Sequence, residues 1–248
     1  MKAELTTAVV VNSAPPPKKQ SWWWLYLLLA LPVAGAMAFS ILRPITVLPR
    51  IGLSPGFTLR DQDGALVNNE AFRGQLTLYT FTYTQCDDDC PITPVTLAQL
   101  RQDVAAIAPE GLEVSLVTIT LDPERDTPAA LAAAANGLEA EYPAGIDWTW
   151  LTADNPAFIR SVVGNGFSLY YKAQAPAGAD TADYQVRFDP RIVLVDGWGT
   201  LRAEYRVTQP DMEIIARDLR LLTEEAQNSE GTARLAYEAA HLFLCYPR

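Results

Sequence analysis

Twenty-one consecutive residues, Trp22 to Leu42, carry no charge. As a helix they would reach roughly 30 Å, the thickness of bilayer hydrocarbon. Trp22, Trp23, Trp24 and Tyr26 crowd one end of the run, where amphipathic rings favour the headgroup layer. Lys18 and Lys19 stand just before it and Arg43 just after. That arrangement predicts an anchor with the amino terminus in the cytoplasm and everything after Arg43 carried across. A cleaved signal is the rival reading, because Ala36-Met37-Ala38 has the small-x-small form of a cleavage site. The length of the run favours an uncleaved anchor, and both readings export residues 44–248. The expected plan is a proline-bearing cytoplasmic tail over 1–21, a transmembrane anchor over 22–42 and a linker over 43–55.

Charge is divided unevenly about that run. Lys2, Lys18 and Lys19 against Glu4 give residues 1–21 a net charge of +2, so the rest carries −12 of the total −10. An acidic chain of this kind is unsuited to nucleic acid, whose binding needs a basic face to displace counterions. One histidine excludes a three-histidine metal site. Three cysteines are too few for a disulfide scaffold.

Beyond the linker, β-prone and helical segments alternate. Phe57 to Gly64 reads as a strand ending in an Asp-Gly turn, and Leu76 to Thr82 as a strand running into Cys86. Pro91 to Ala108 has helical spacing through Leu97, Leu100, Val104 and Ile107. Val114 to Leu121 and Trp148 to Leu151 are strands. Thr127-Pro128 and Asn155-Pro156 each open a helix, a capping residue followed by proline. Residues 173–182 have loop composition. Ile192 to Val195 and Leu201 to Tyr205 flank Asp196-Gly197-Trp198-Gly199 as a hairpin. A helix from Pro210 carries Met212, Ile215, Leu219 and Leu222 on one stripe, and a last helical segment runs from Thr232 to Cys245. The fold class is α/β. Paired cysteines just after the first long strand predict a thioredoxin-like domain over 56–228, with a helical tail over 229–248.

The string Cys86-Asp87-Asp88-Asp89-Cys90-Pro91 carries the chemistry. Two thiols three residues apart, on the turn into a helix, can bond to one another or to one metal ion. Thiolates are soft donors that select Cu(I) or zinc over hard cations. A helix amino terminus favours the thiolate, whereas the aspartates disfavour it and gather cations. Metal binding, thiol redox chemistry and an inert disulfide all remain open on spacing alone.

A wider set of strings is informative. Phe57-Thr58-Leu59, Phe72-Arg73-Gly74, Phe81-Thr82-Tyr83-Thr84-Gln85-Cys86, Cys90-Pro91-Ile92-Thr93 and Leu121-Asp122-Pro123-Glu124-Arg125-Asp126-Thr127-Pro128 together resemble the SCO/SenC family across roughly residues 55–225. The resemblance implies a membrane-anchored, thioredoxin-fold copper protein that helps assemble the dinuclear copper centre of cytochrome c oxidase. It makes Cys86 and Cys90 the copper ligands, with Cu(I) favoured. The family's third ligand, a histidine, has no counterpart: Phe188 occupies its place, and a phenyl ring has no lone pair.

His241 and Cys245, four residues apart on a predicted helix, share a face. They are candidates to supply the missing ligands if the tail folds over the cysteine pair. The plainer expectation is an apolar docking segment against membrane or partner. For Asp122, Arg125 and Asp126 the expected roles are a local salt bridge and a helix cap. Trp148, Trp150 and Trp198 predict core or turn packing.

Three functions follow. The first is copper delivery to a respiratory oxidase by Cys86 and Cys90, a metallochaperone more than an enzyme. The second is a thiol–disulfide oxidoreductase that uses the same two residues to keep oxidase cysteines reduced. The third is a structural accessory subunit of a membrane respiratory complex.

Overall fold

The computed structural model describes residues 22–42, 45–87, 89–175 and 184–243, without the side chains of residues 39, 40, 42 and 243. The chain divides into two compact units, Met1–Pro44 and Ile45–Arg248. In the first, helix α1 covers Trp23–Leu42, and most of its described side chains are exposed. Among the described residues no helix is long and apolar enough to cross a membrane.

The second unit is built on an eight-stranded sheet. Its strands are β1 (Gly52–Leu53), β2 (Thr58–Asp61), β3 (Leu66–Asn68), β4 (Leu76–Thr82), β5 (Val114–Thr120), β6 (Asp147–Thr152), β9 (Ile192–Val195) and β10 (Thr200–Tyr205). Their spatial order is β1-β10-β9-β4-β5-β6-β2-β3. β4, β5 and β6 are parallel, and β9 runs antiparallel to β4. Every residue of β4 and β5 is buried, as expected of central strands covered on both faces. Side chains alternate across the sheet. Tyr79, Phe81, Val117 and Ile119 enter one core, and Leu76, Leu78, Leu116 and Leu194 the other.

Helix α2 spans Pro94–Ile107, α3 Pro128–Glu141, α5 Met212–Gln227 and α6 Gly231–Phe243; the short α4 (Pro156–Ile159) continues into a π-helical turn, Arg160–Gly166. Thr93, Thr127, Asn155 and Asp211 cap α2 to α5. The predicted start of α2 at Pro91 moves to Pro94. Extended backbone at Thr93 (ψ 160°) precedes the proline, because a residue before proline is driven out of helical conformation. Two strands absent from the sequence reading, β7 (Tyr171–Gln174) and β8 (Gln185–Phe188), form a separate antiparallel pair. The predicted loop 173–182 overlaps β7, and its part from 176 on lies outside the described residues.

The expected linker over 43–55 is largely domain. Val47 and Leu48 are fully buried, and Gly52–Leu53 adds to the sheet edge beside β10. Arg202, only 2% exposed, donates to the carbonyls of Leu48 (2.8 Å) and Pro49 (3.2 Å). It also pairs with Asp196 (2.9 Å) and Glu225 (2.7 Å), so the lead-in segment is fastened to the hairpin and to α5. In the turn between β9 and β10, Gly199 has φ +75°, the left-handed conformation that favours glycine.

Candidate metal and redox site

The carboxyl end of β4 delivers the chain into the cysteine turn. Cys86 N–H donates to Tyr83 O (3.1 Å) and Cys90 N–H to Asp87 O (2.9 Å). These bonds fold Cys86 and Cys90 to a Cα separation of 5.6 Å, and the two sulfurs form a disulfide. Asp126 fixes the approach to this turn. Its buried carboxylate accepts from Thr84 N–H (3.0 Å) and from the hydroxyls of Thr84 and Thr120. Burial raises the Asp126 pKa above the ordinary carboxylate value, against those hydrogen bonds. Asp126 is thus a clamp on the cysteine turn, and the cap of α3 is Thr127, as its position before Pro128 predicted.

The two sulfurs have different surroundings. Cys86 is 6% exposed and belongs to the core, with its Sγ 3.3 Å from the Ile92 carbonyl oxygen. Cys90 is half-buried at the margin of that core. Its Sγ lies 3.4 Å from Tyr83 Oη. An oxidised sulfur holds no proton, so the hydroxyl donates. The same oxygen accepts Val186 N–H (3.2 Å), linking Cys90 to β8. Burial raises the Tyr83 pKa, which keeps the hydroxyl a donor.

A cleft of about 720 Å³ opens between the turn and the β7–β8 pair, and Tyr83, Asp89, Cys90, Lys172 and Phe188 are among the residues lining it. Beside it, Tyr184 donates to Asp122 (2.6 Å). Burial and the Asp122 carboxylate both raise the Tyr184 pKa. Asp122 pairs with Arg125 as the sequence predicted, and the guanidinium lies 3.9 Å from the Tyr184 ring centroid and 5.7 Å from that of Tyr83. Neither tyrosine was singled out from the sequence. Tyr83 sits three residues before Cys86, but nothing local shows that its hydroxyl reaches Cys90.

Phe188 does line the cleft with Cys90, so the position lacking a histidine faces the site. His241 is elsewhere. Its Nε2 lies 2.9 Å from Glu225 Oε1, and Glu225 binds Arg202 beside the β9–β10 turn. That turn meets the amino end of β4, since Thr77 pairs with Val195 and Gly74 N–H donates to Gly197 O. The seven residues of β4 separate it from the cysteine end by roughly 20 Å. Cys245 lies outside the described residues. Among the described residues no group of three or more His, Cys, Asp or Glu side chains converges as a metal site. Trp150 is fully buried and stacks 5.0 Å from Trp148, whereas Trp198 is 75% exposed on its turn.

With α2 starting at Pro94, both cysteines precede the helix. Its end field, which fades within a turn, reaches them less than the sequence suggested. Chemically, the turn can cycle between disulfide and dithiol, and in the reduced form it offers a soft cation two sulfurs with no third donor from Phe188.

Sheet, flanking helices and paired-cysteine turn together define a thioredoxin-like α/β protein with a thiol site at a strand–helix junction. The SCO1/SenC family profile matches residues 49–224, and the chain belongs to that family. It is 30% identical over 133 residues to the SCO1 protein homolog of Bacillus subtilis, covering 53% of this chain and 64% of that protein. Identity to an SCO2-like protein of Rickettsia prowazekii is 35% over 147 residues, covering 59% and 66%. The chain therefore spans just under two thirds of the length of these relatives. Among solved structures it is similar to Bradyrhizobium japonicum ScoI with copper bound, at 26% identity and a TM-score of 0.54, covering 68% of this chain and 99% of that one. BsSco, described as a member of the Sco family of cytochrome c oxidase assembly proteins and as having a disulfide switch, shares the fold at 24% identity and a TM-score of 0.54, covering 72% and 98%.

Proposed function

We propose that this chain is a membrane-anchored, extracytoplasmic copper-binding protein that assists assembly of the copper centre of a respiratory oxidase. It acts as a metallochaperone and not as a catalyst. The observation that carries this reading is the meeting of the Cys86 and Cys90 sulfurs on one turn, beside a cleft that Cys90 lines. The copper-bound relative and the family membership support it. Copper is cargo here, and it needs the reduced pair. Two thiolates suit Cu(I), a soft ion; Cu(II) favours nitrogen or oxygen donors beside sulfur, and Phe188 supplies neither. Few ligands also favour release, which delivery requires. Anaerobic loading of the reduced chain with Cu(I) is expected to leave one copper per chain, lost in Cys86→Ser and in Cys90→Ser. Copper content equal to that of the double cysteine variant would reject the reading.

The uncharged run between Lys19 and Arg43 supports anchoring with the domain outside the cytoplasm. Retention in membranes after alkaline extraction tests it, and release would overturn it.

The disulfide itself favours a second reading, thiol–disulfide exchange with cysteines of the oxidase. It needs no third donor, so Phe188 does not count against it. A reduction potential at which the bond neither forms nor breaks in the exported compartment would exclude it.

A further inference from the structure

We propose that sulfur exchange between this protein and other molecules passes through Cys90, with Cys86 as the internal resolving sulfur. The inference rests on the thiol-exchange reading of the site and not on its copper. Exchange begins when a thiolate attacks one sulfur of a disulfide, so the sulfur attacked must be open to the incoming group. Cys86 is 6% exposed and packs in the core with Phe81, Tyr83 and Leu121. Cys90 lines the cleft, and Cys86 does not. The sulfur later in the chain is therefore the one presented to a partner.

The surrounding acceptor and donor suit those two roles. An external thiolate attacks Cys90 Sγ, a new sulfur–sulfur bond forms there, and the Cys86–Cys90 bond breaks. Cys86 leaves as a thiolate and takes a proton from solvent. The resulting S–H has an acceptor already in place, the Ile92 carbonyl oxygen 3.3 Å away. Tyr83 Oη, 3.4 Å from Cys90 Sγ and held by Val186 N–H, keeps Cys90 in position as it carries the mixed disulfide. A second external thiolate attacks the external sulfur of that mixed disulfide and releases Cys90. The protein then holds a dithiol, and two external thiols have become one disulfide. Read backwards, Cys90 attacks a partner's disulfide and Cys86 resolves the product.

The test uses the full chain with Cys245→Ala, so that only this pair reacts. The oxidised protein is exposed briefly to glutathione, quenched by alkylation and mapped by mass spectrometry. Glutathione on Cys90 is expected; glutathione on Cys86, or shared equally, overturns the assignment. Single-thiol versions provide a second measure with an aromatic disulfide as probe. Cys86→Ser, which keeps Cys90, is expected to react at least about tenfold faster than Cys90→Ser, because reactivity follows access. Equal rates or the reverse order overturn it, and the mapping decides if either variant fails to fold. A chain that binds no copper yet carries glutathione on Cys90 would reject the copper reading and leave this one standing. Copper binding without exchange at Cys90 would do the opposite.

Discussion

At the carboxyl end of β4, Cys86 and Cys90 sit on a short turn held by their own disulfide, two backbone bonds, the Asp126 clamp and a tyrosine hydroxyl. At the amino end, Arg202 is buried among Asp196, Glu225 and the Leu48 and Pro49 carbonyls, with His241 on Glu225 and Arg50 on Glu238. Both ends concentrate polar chemistry, but to different purposes. The amino end joins the segment before β1, the β9–β10 hairpin, α5 and α6, and its groups are engaged with one another. The carboxyl end leaves one sulfur reachable from a cleft. Stability and reactivity are thereby placed at opposite ends of the same strand.

Substitutions that act on one end and spare the other sharpen that contrast. The largest effect is expected from Arg202→Leu, which leaves two carboxylates and two carbonyls without their shared donor. A loss of about 3–5 kcal/mol in urea unfolding is expected, as for a broken buried ion pair. Copper per folded chain should not change. A loss of both together would show that the two ends are coupled.

Glu225→Gln comes next, with about 2 kcal/mol expected near neutral pH from weakened charge-assisted bonds. Burial alone would raise the Glu225 pKa, but the bonds and charges of His241 and Arg202 outweigh it and bring the value down to about 2 from 4.5. A depressed carboxylate stabilises the fold above its unfolded pKa, and this contribution fades as pH falls from about 4.5 towards about 2. Unfolding measured across that window should show the two proteins converging; a constant gap would reject the assignment.

Phe188→His restores a nitrogen donor to the cleft wall. At least about a tenfold gain in Cu(II) affinity, or about 1.4 kcal/mol, is expected in competition titration. No gain would mean that the position does not face the bound ion. The smallest effect is assigned to His241→Ala, about 1 kcal/mol from one lost hydrogen bond, seen as faster amide exchange in α6. Copper content should stay at the level of the parent, and its loss would place the histidine in the site after all.

Much of the fold was legible in the sequence because the strongest local signals agree with the tertiary solution. β4 and β5 are apolar and β-prone runs, Thr127-Pro128 and Asn155-Pro156 do open helices, and Asp196 to Gly199 does turn a hairpin. The cysteine pair was visible for the same reason: four residues of separation on a turn suffice to bring two sulfurs together. The β7–β8 pair is hard to read locally because Lys172, Ala173 and Gln174 are all exposed and do not alternate, and the alternation of Gln185 to Phe188 is only four residues long. The segment before β1 reads as linker because its prolines suggest stiffness, and no local rule reveals that Arg202 will bind its carbonyls.

The order of residues settles which groups are present: two neighbouring thiols, phenylalanine where the family carries imidazole, a single histidine and an uncharged run of bilayer length. Those are matters of composition and short-range geometry, fixed once the chain is written. Which of them meet is settled by how distant segments pack. Pairing of β9 against β4 sends the hairpin turn, and with it His241, to the strand end away from the sulfurs. Burial of one cysteine and not the other depends on side chains drawn from across the sheet. Distance and exposure are set by packing between segments far apart in the chain, and no window of neighbouring residues contains that information.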